Sequence, residues 1–142
     1  MRTARRRWAW IASLLATLTA AGTVAAPTPA VSGGSATLTP LVLGWESYFK
    51  VEWEAAQRNG RAVVRGIVLN DWGFPAARVQ LLIESLDERG AVVGQRVAWL
   101  GAGILTPGSR AYFEEAAPRP APSYRVRVFA FEWVQAGGDD RR

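Results

Sequence analysis

The stretch FKVEWEAAQRNGRAVVRGIVLN, residues 49–70, decides the fold. Phe49, Val51, Trp53 and Ala55 alternate with Lys50, Glu52 and Glu54. A period of two describes a half-buried strand with a charged outer face. Asn59-Gly60 follows, the pair of residues that best tolerates the positive φ angles of a tight hairpin. Residues 62–70 are rich in β-branched side chains and form a second strand. Gly66 in its interior marks a bulge or a close backbone approach, and Asn70 is placed to cap the next turn.

The same grammar continues towards the C-terminus. Asp71-Trp72-Gly73-Phe74-Pro75 is a turn, because Pro75 cannot donate to a sheet ladder. Ala77, Val79, Leu81 and Ile83 alternate with Arg78, Gln80, Leu82 and Glu84 in a third strand. Asp87-Glu88-Arg89-Gly90 turns the chain into a fourth, residues 91–99. Gly101 and Gly103 loosen it, and Thr106-Pro107-Gly108 turns it again, with Gly108 expected at positive φ. Residues 110–114 are a short fifth strand. Residues 115–122 carry three prolines and form an irregular crossing, and residues 123–134 are the last strand. No helical period is sustained for three turns. Short strands at close spacing with turns between them predict an all-β, antiparallel, immunoglobulin-like β-sandwich of six or seven strands. Tyr124-Arg125-Val126 fits the spacing of a tyrosine corner in that architecture. The sandwich is expected over residues 45–135, with a polar tail at 136–142.

Upstream the composition changes. Residues 27–44 open with PTPAVSGGSATLTP, uncharged and without aromatics, a flexible linker in which residues 38–43 could add an edge strand. Residues 1–26 read as a signal peptide. Arg2, Arg5, Arg6 and Arg7 precede an apolar stretch that ends in Thr23-Val24-Ala25-Ala26. Cleavage is expected after Ala25, which leaves no membrane span and a periplasmic or secreted product. The alternative is an uncleaved anchor, since residues 8–26 approach the length that crosses a bilayer.

Composition narrows the chemistry. The 142 residues contain no Cys and no His. Disulfides, thiolate nucleophiles and Cys-based zinc sites are therefore absent, as are the commonest general base and metal ligand. The formal charge of +5 is concentrated at the start: four of 17 basic residues lie in the first seven positions, leaving 13 against 12 acids. The body is close to neutral, which argues against nucleic acid as a partner. The pairs Asp87-Glu88, Glu114-Glu115 and Asp139-Asp140 are adjacent in sequence, and neighbours on a strand point to opposite faces. No catalytic residue, cofactor or metal site is expected, and the chain does not read as an enzyme.

Gly66-x-Val68-x-Asn70, Leu86-Asp87-x-x-Gly90, Leu105-x-Pro107-Gly108 and Phe113 resemble, in order and spacing, the bacterial FxLYD domain. Its eponymous motif would fall on Ile83-Glu84-Ser85-Leu86-Asp87. The resemblance spans residues 62–134 and implies an extracytoplasmic immunoglobulin-like module of unassigned biochemistry.

Aromatic residues are the remaining signal. Trp45, Trp53, Trp72, Trp99 and Trp133 accompany several Phe and Tyr in the body. In the last strand Val126, Val128 and Ala130 share one face, whereas Arg125, Arg127, Phe129, Phe131 and Trp133 share the other. With the valines inward, unbroken alternation exposes three aromatics in a row, a contact surface for a protein partner or a glycan bordered by Arg127. A bulge after Val128, or cover from residues 41–45, would instead bury them. The functional expectation is an exported interaction or structural module of the bacterial envelope, with carbohydrate or envelope-polymer binding as the alternative.

Overall fold

The computed structural model describes residues 37–135. The expected signal peptide, most of the linker and the polar tail lie outside the described residues. A single 3₁₀ turn, Trp45–Ser47, precedes seven strands: β1 Phe49–Arg58, β2 Arg61–Asn70, β3 Ala76–Leu86, β4 Val92–Trp99, β5 Ile104–Leu105, β6 Arg110–Ala116 and β7 Ser123–Trp133. All pairings are antiparallel. One sheet has the order β1-β2-β6. In the other, β3 is central, with β4 and β5 sharing one edge and β7 on the opposite edge. Strands one, two and six facing four, three and seven is the A-B-E against C′-C-F arrangement of immunoglobulin-like sandwiches. The seventh strand is the two-residue β5. Residues 38–43 form no strand. No helix among the described residues is long and apolar enough to cross a membrane.

The turns follow their residue chemistry. Asn59 (φ 50°) and Gly60 (φ 74°) both take positive φ, which matches the twist of β1 and β2 and sets Arg58 opposite Arg61. Ser109 N–H donates to Thr106 O at 3.0 Å, with Pro107 and Gly108 (φ 73°) between them, a type II turn. The Asp87 carboxylate accepts from the amides of Arg89 and Ala91, both at 2.9 Å.

The inner faces meet in one core. Phe49, Val64, Val68, Ala111 and Phe113 from the first sheet pack with Val79, Leu81, Ile83, Ala98, Val126 and Val128 from the second. Each large apolar side chain buried this way contributes roughly 1.5–3 kcal/mol. Gly66 faces Trp53 across the ladder. A Cβ there would lie 2.0 Å from the Glu52 carbonyl oxygen and 2.8 Å from Trp53 Cα, so the strand approach itself excludes a side chain. Tyr124 Oη accepts from the Ala121 amide at 3.0 Å, the backbone bond expected at a tyrosine corner. Ser85 Oγ donates to Arg119 O at 2.8 Å and accepts from Arg119 N–H at 3.2 Å, which fastens the proline-rich crossing.

The faces of β7 require a correction. Leu81 pairs with Val128, but the next β3 residue, Gln80, pairs with Ala130. Phe129 is thus an extra residue, the bulge after Val128 that the sequence left open as the alternative, and it restarts the alternation. A second irregularity follows in β3 at Arg78, which has φ 52°. Beyond the bulge, Phe131 and Trp133 turn inward and pack against the core. The row of three outward aromatics does not form.

Candidate functional site

Of the four residues that sequence placed on a contact surface, the structure brings Phe131 and Trp133 together, but half-buried and packed against the core. Phe131 meets Phe49 edge-on at 4.9 Å, and Trp133 stacks on Phe49 at 6.0 Å between ring centroids. Phe129 is half-buried at the bulge, and its carbonyl accepts from Leu41 N–H at 2.8 Å. Arg127 belongs to a separate ionic cluster on the outer face of the β3 sheet.

The aromatic stack continues from the core to the surface at one end of the sandwich. Tyr48 stands edge-on to Trp133 at 5.4 Å and to Trp72 at 5.0 Å. Phe74 lies 6.4 Å from Trp133. Trp72 and Phe74 come from the five-residue turn between β2 and β3, and they remain 42% and 59% exposed. Sequence reading treated this stretch as a turn and missed them as site residues. The available signal was two large aromatics inside a turn, where small and polar residues normally dominate.

Asn70 makes this turn rigid. Its side chain is fully buried. Nδ2 donates to Phe74 O at 2.8 Å and to Leu105 O at 2.9 Å, and Oδ1 accepts from Trp72 N–H at 3.1 Å. The Asn70 backbone is bonded too, its N–H to Ser109 O and its carbonyl from Gly108 N–H. Asp71 N–H donates to Tyr48 O at 2.8 Å, tying the turn to the start of β1. One buried amide therefore positions two exposed rings. Beside them is a depression of about 480 Å³ lined by Phe74, Pro75, Trp133, Val134 and Gln135. The surroundings are chiefly apolar, with the exposed Lys50–Asp71 pair (3.7 Å) as the nearby charge. Such a surface takes up apolar side chains or the flat face of a ring. Among the described residues no group of three His, Cys, Asp or Glu could hold a metal ion.

The ionic cluster has different chemistry. Glu84 is fully buried, although β3 alternation reads it as facing solvent. Its carboxylate accepts from Arg125 Nε at 2.6 Å, Arg127 Nη2 at 2.9 Å and Gln95 Nε2 at 2.9 Å. Burial alone pushes the carboxyl pKa upward. The bonds from Arg125 and Gln95 and the charge of Arg127 together outweigh that, and hold it below the ordinary value. A carboxylate kept ionised between two arginines is a structural clamp and not a general acid. Trp53, Trp99 and Tyr112 are exposed as well; Tyr112 lies on the outer face of the other sheet, where its hydroxyl donates to Glu114 at 3.1 Å. Glu114 also pairs with Arg58, and Glu54 pairs with Arg65 at 2.6 Å.

No family model, curated protein or solved structure matches the chain.

Proposed function

We propose that the chain is exported and works as a non-enzymatic interaction module in the bacterial envelope, with the Trp72–Phe74 turn as its contact surface. The observation that carries this reading is the pair of exposed aromatic rings held by a fully buried asparagine. Exposed apolar side chains on a pre-set backbone bind with little ordering cost, and aromatics of this kind dominate interface energetics. The order of basic, apolar and small residues in 1–26 supports export. The FxLYD-like spacing of Gly66, Asn70, Gly90 and Gly108 supports an extracytoplasmic setting. A near-neutral body favours a protein or glycan partner over nucleic acid.

Of those two, a protein segment fits better. The depression beside Phe74 and Trp133 is mainly apolar, whereas a sugar ring also needs hydrogen-bonding groups around its rim. The glycan reading keeps one specific support, the exposed Trp72 ring near the Lys50–Asp71 pair. The test is to present the purified protein and its Trp72→Ser, Phe74→Ser variant to envelope fractions and to a glycan array. Retention of one discrete protein by the parent and its loss by the variant supports the protein reading. Binding confined to the array supports the glycan, and equal behaviour of parent and variant refutes this surface.

A further inference from the structure

β1 is an open sheet edge. Its register with β2 is unbroken, from Phe49 opposite Asn70 to Arg58 opposite Arg61, and no other strand pairs with it. The two-residue turn makes Arg58 and Arg61 a hydrogen-bonded pair. Even-numbered residues of β1 therefore bond to β2, and odd-numbered ones point their main chain away. Bonds at the ends of the ladder obey that alternation. Asp71 N–H donates to Tyr48 O at 2.8 Å, whereas Asn70 and Ala62 of β2 bond across to Ser109 and Ala117 beside β6. The N–H and C=O groups of Val51, Trp53, Ala55 and Gln57 are thus turned outward, and no hydrogen bond within the described residues reaches them. Trp53, Ala55 and Gln57 are all exposed.

Natural sheets usually guard an edge with a bulge, a proline, a lysine or a covering segment. The other edges here are guarded or short. β7 is bulged and holds Leu41 on Phe129 O. β4 shifts register near its start and holds the Arg119 guanidinium on Val93 O at 3.1 Å. β6 has seven residues, and its Glu114 is already engaged by Arg58 and Tyr112. β1 has ten residues, no proline and no bulge, and its one lysine sits near its start.

We infer that β1 pairs with β1 of a second copy of the chain, antiparallel about a two-fold axis at Ala55, joining two three-stranded sheets into one. Outward main-chain groups at strand spacing are met by another strand, and the side chains identify which. Centres at Glu52, Trp53 or Glu54 set carboxylates directly opposite each other. A centre at Val51 uses the end of the strand where Phe49 packs against Phe131. A centre at Ala56 relies on Glu54, which Arg65 already holds. The Ala55 centre sets Glu52 opposite Arg58 of the second copy at both symmetric positions, and like charges nowhere. No ion pair of the described residues engages Glu52, and the Arg58 guanidinium keeps further donors beyond its bond to Glu114. Small Ala55 and Ala56 let the strands close, and the alternation supplies about six main-chain bonds between copies. Ala55 lies about 23 Å along the strand from Tyr48, the residue that touches Trp72, so the pairing does not depend on the Trp72–Phe74 surface.

Edge pairing buries a small interface and is concentration-dependent, so sedimentation equilibrium of the purified protein from about 1 µM to about 1 mM reads it. The parent should pass from monomer to dimer and no further. Ala55→Pro removes only an outward N–H, a change that an edge strand accepts. It should weaken the dimer by about tenfold or more while tryptophan fluorescence stays native. Glu52→Arg and Arg58→Glu should each weaken it by about tenfold alone. An equimolar mixture of those two variants should regain the dimer, because each then offers the other opposite charges at both contacts. The mixture tests the register even if Ala55→Pro fails to fold. A parent that stays monomeric overturns the inference and leaves the edge to a strand of another protein. A dimer unaffected by a folded Ala55→Pro, or charge variants whose mixture stays monomeric, overturns it equally. Trp72→Ser should leave the dimer intact, so failure of the contact surface and failure of this edge are told apart.

Discussion

Replacing Asn70 with Ala removes the one side chain that holds the aromatic turn, and the structure sets the size of the effect. Three hydrogen bonds are lost. The bond to Leu105 O is buried, and that carbonyl is left without its partner, which costs about 1–3 kcal/mol. The bonds to Phe74 O and from Trp72 N–H lie nearer solvent, where water can replace them at about 0.5–1 kcal/mol each. The sum is about 2–5 kcal/mol, a large share of the 5–15 kcal/mol that holds a domain together. Urea unfolding followed by tryptophan fluorescence measures it, with an unchanged denaturant slope confirming that two states are compared. Asn70→Asp is the informative partner. It keeps the acceptor for Trp72 N–H but loses both donations and turns a buried carboxylate toward the Phe74 and Leu105 carbonyls, so it should cost at least as much as Asn70→Ala. A loss below about 1 kcal/mol for Asn70→Ala would refute the view that this amide organises the turn.

Phe131→Ser with Trp133→Ser should destabilise by more than about 4 kcal/mol, because both rings pack on the core; an unchanged unfolding midpoint would return them to the surface. Gly66→Ala forces a methyl group against the β1 backbone and should cost about 3 kcal/mol, read by the same titration. The Glu84 carboxyl has a folded-state pKa below 4.5. Its stabilisation is therefore complete at neutral pH and is lost as pH falls from about 4.5 through that lower value. Glu84→Gln should flatten this acid limb of the stability profile, and an identical limb would show that other carboxylates set it.

The parts of the fold written in local chemistry were legible. Asn59-Gly60, Asp87 with Gly90, and Pro107-Gly108 specify turns through backbone φ and short side-chain bonds, and each sits where its sequence puts it. Gly66 was readable as a close approach, and Asn70 as the cap of its turn. The faces of β7 were legible only as two alternatives, outward aromatics or a bulge after Val128, because period-two reasoning holds only while pairing is regular. A single extra residue, Phe129, inverts everything after it. Glu84 and Leu82 misled for a different reason. Alternation assigns them to the open face of β3, yet both are fully buried. The residues that hold Glu84 there, Arg125, Arg127 and Gln95, are 11 to 43 positions away. The proposed contact surface was half visible. An abundance of aromatics announced one, but only three-dimensional pairing shows that Trp133 anchors it from within while Trp72 and Phe74 face outward.

The most direct measurement replaces Phe74, and in a parallel chain Tyr112, with a photo-crosslinking phenylalanine analogue in the cells that make the protein. Both side chains are well exposed, but they lie on different parts of the sandwich. The account predicts one adduct of defined mass from position 74, absent from position 112 and abolished by Trp72→Ser. An adduct from position 112 with none from 74, or one from 74 that survives Trp72→Ser, would contradict it.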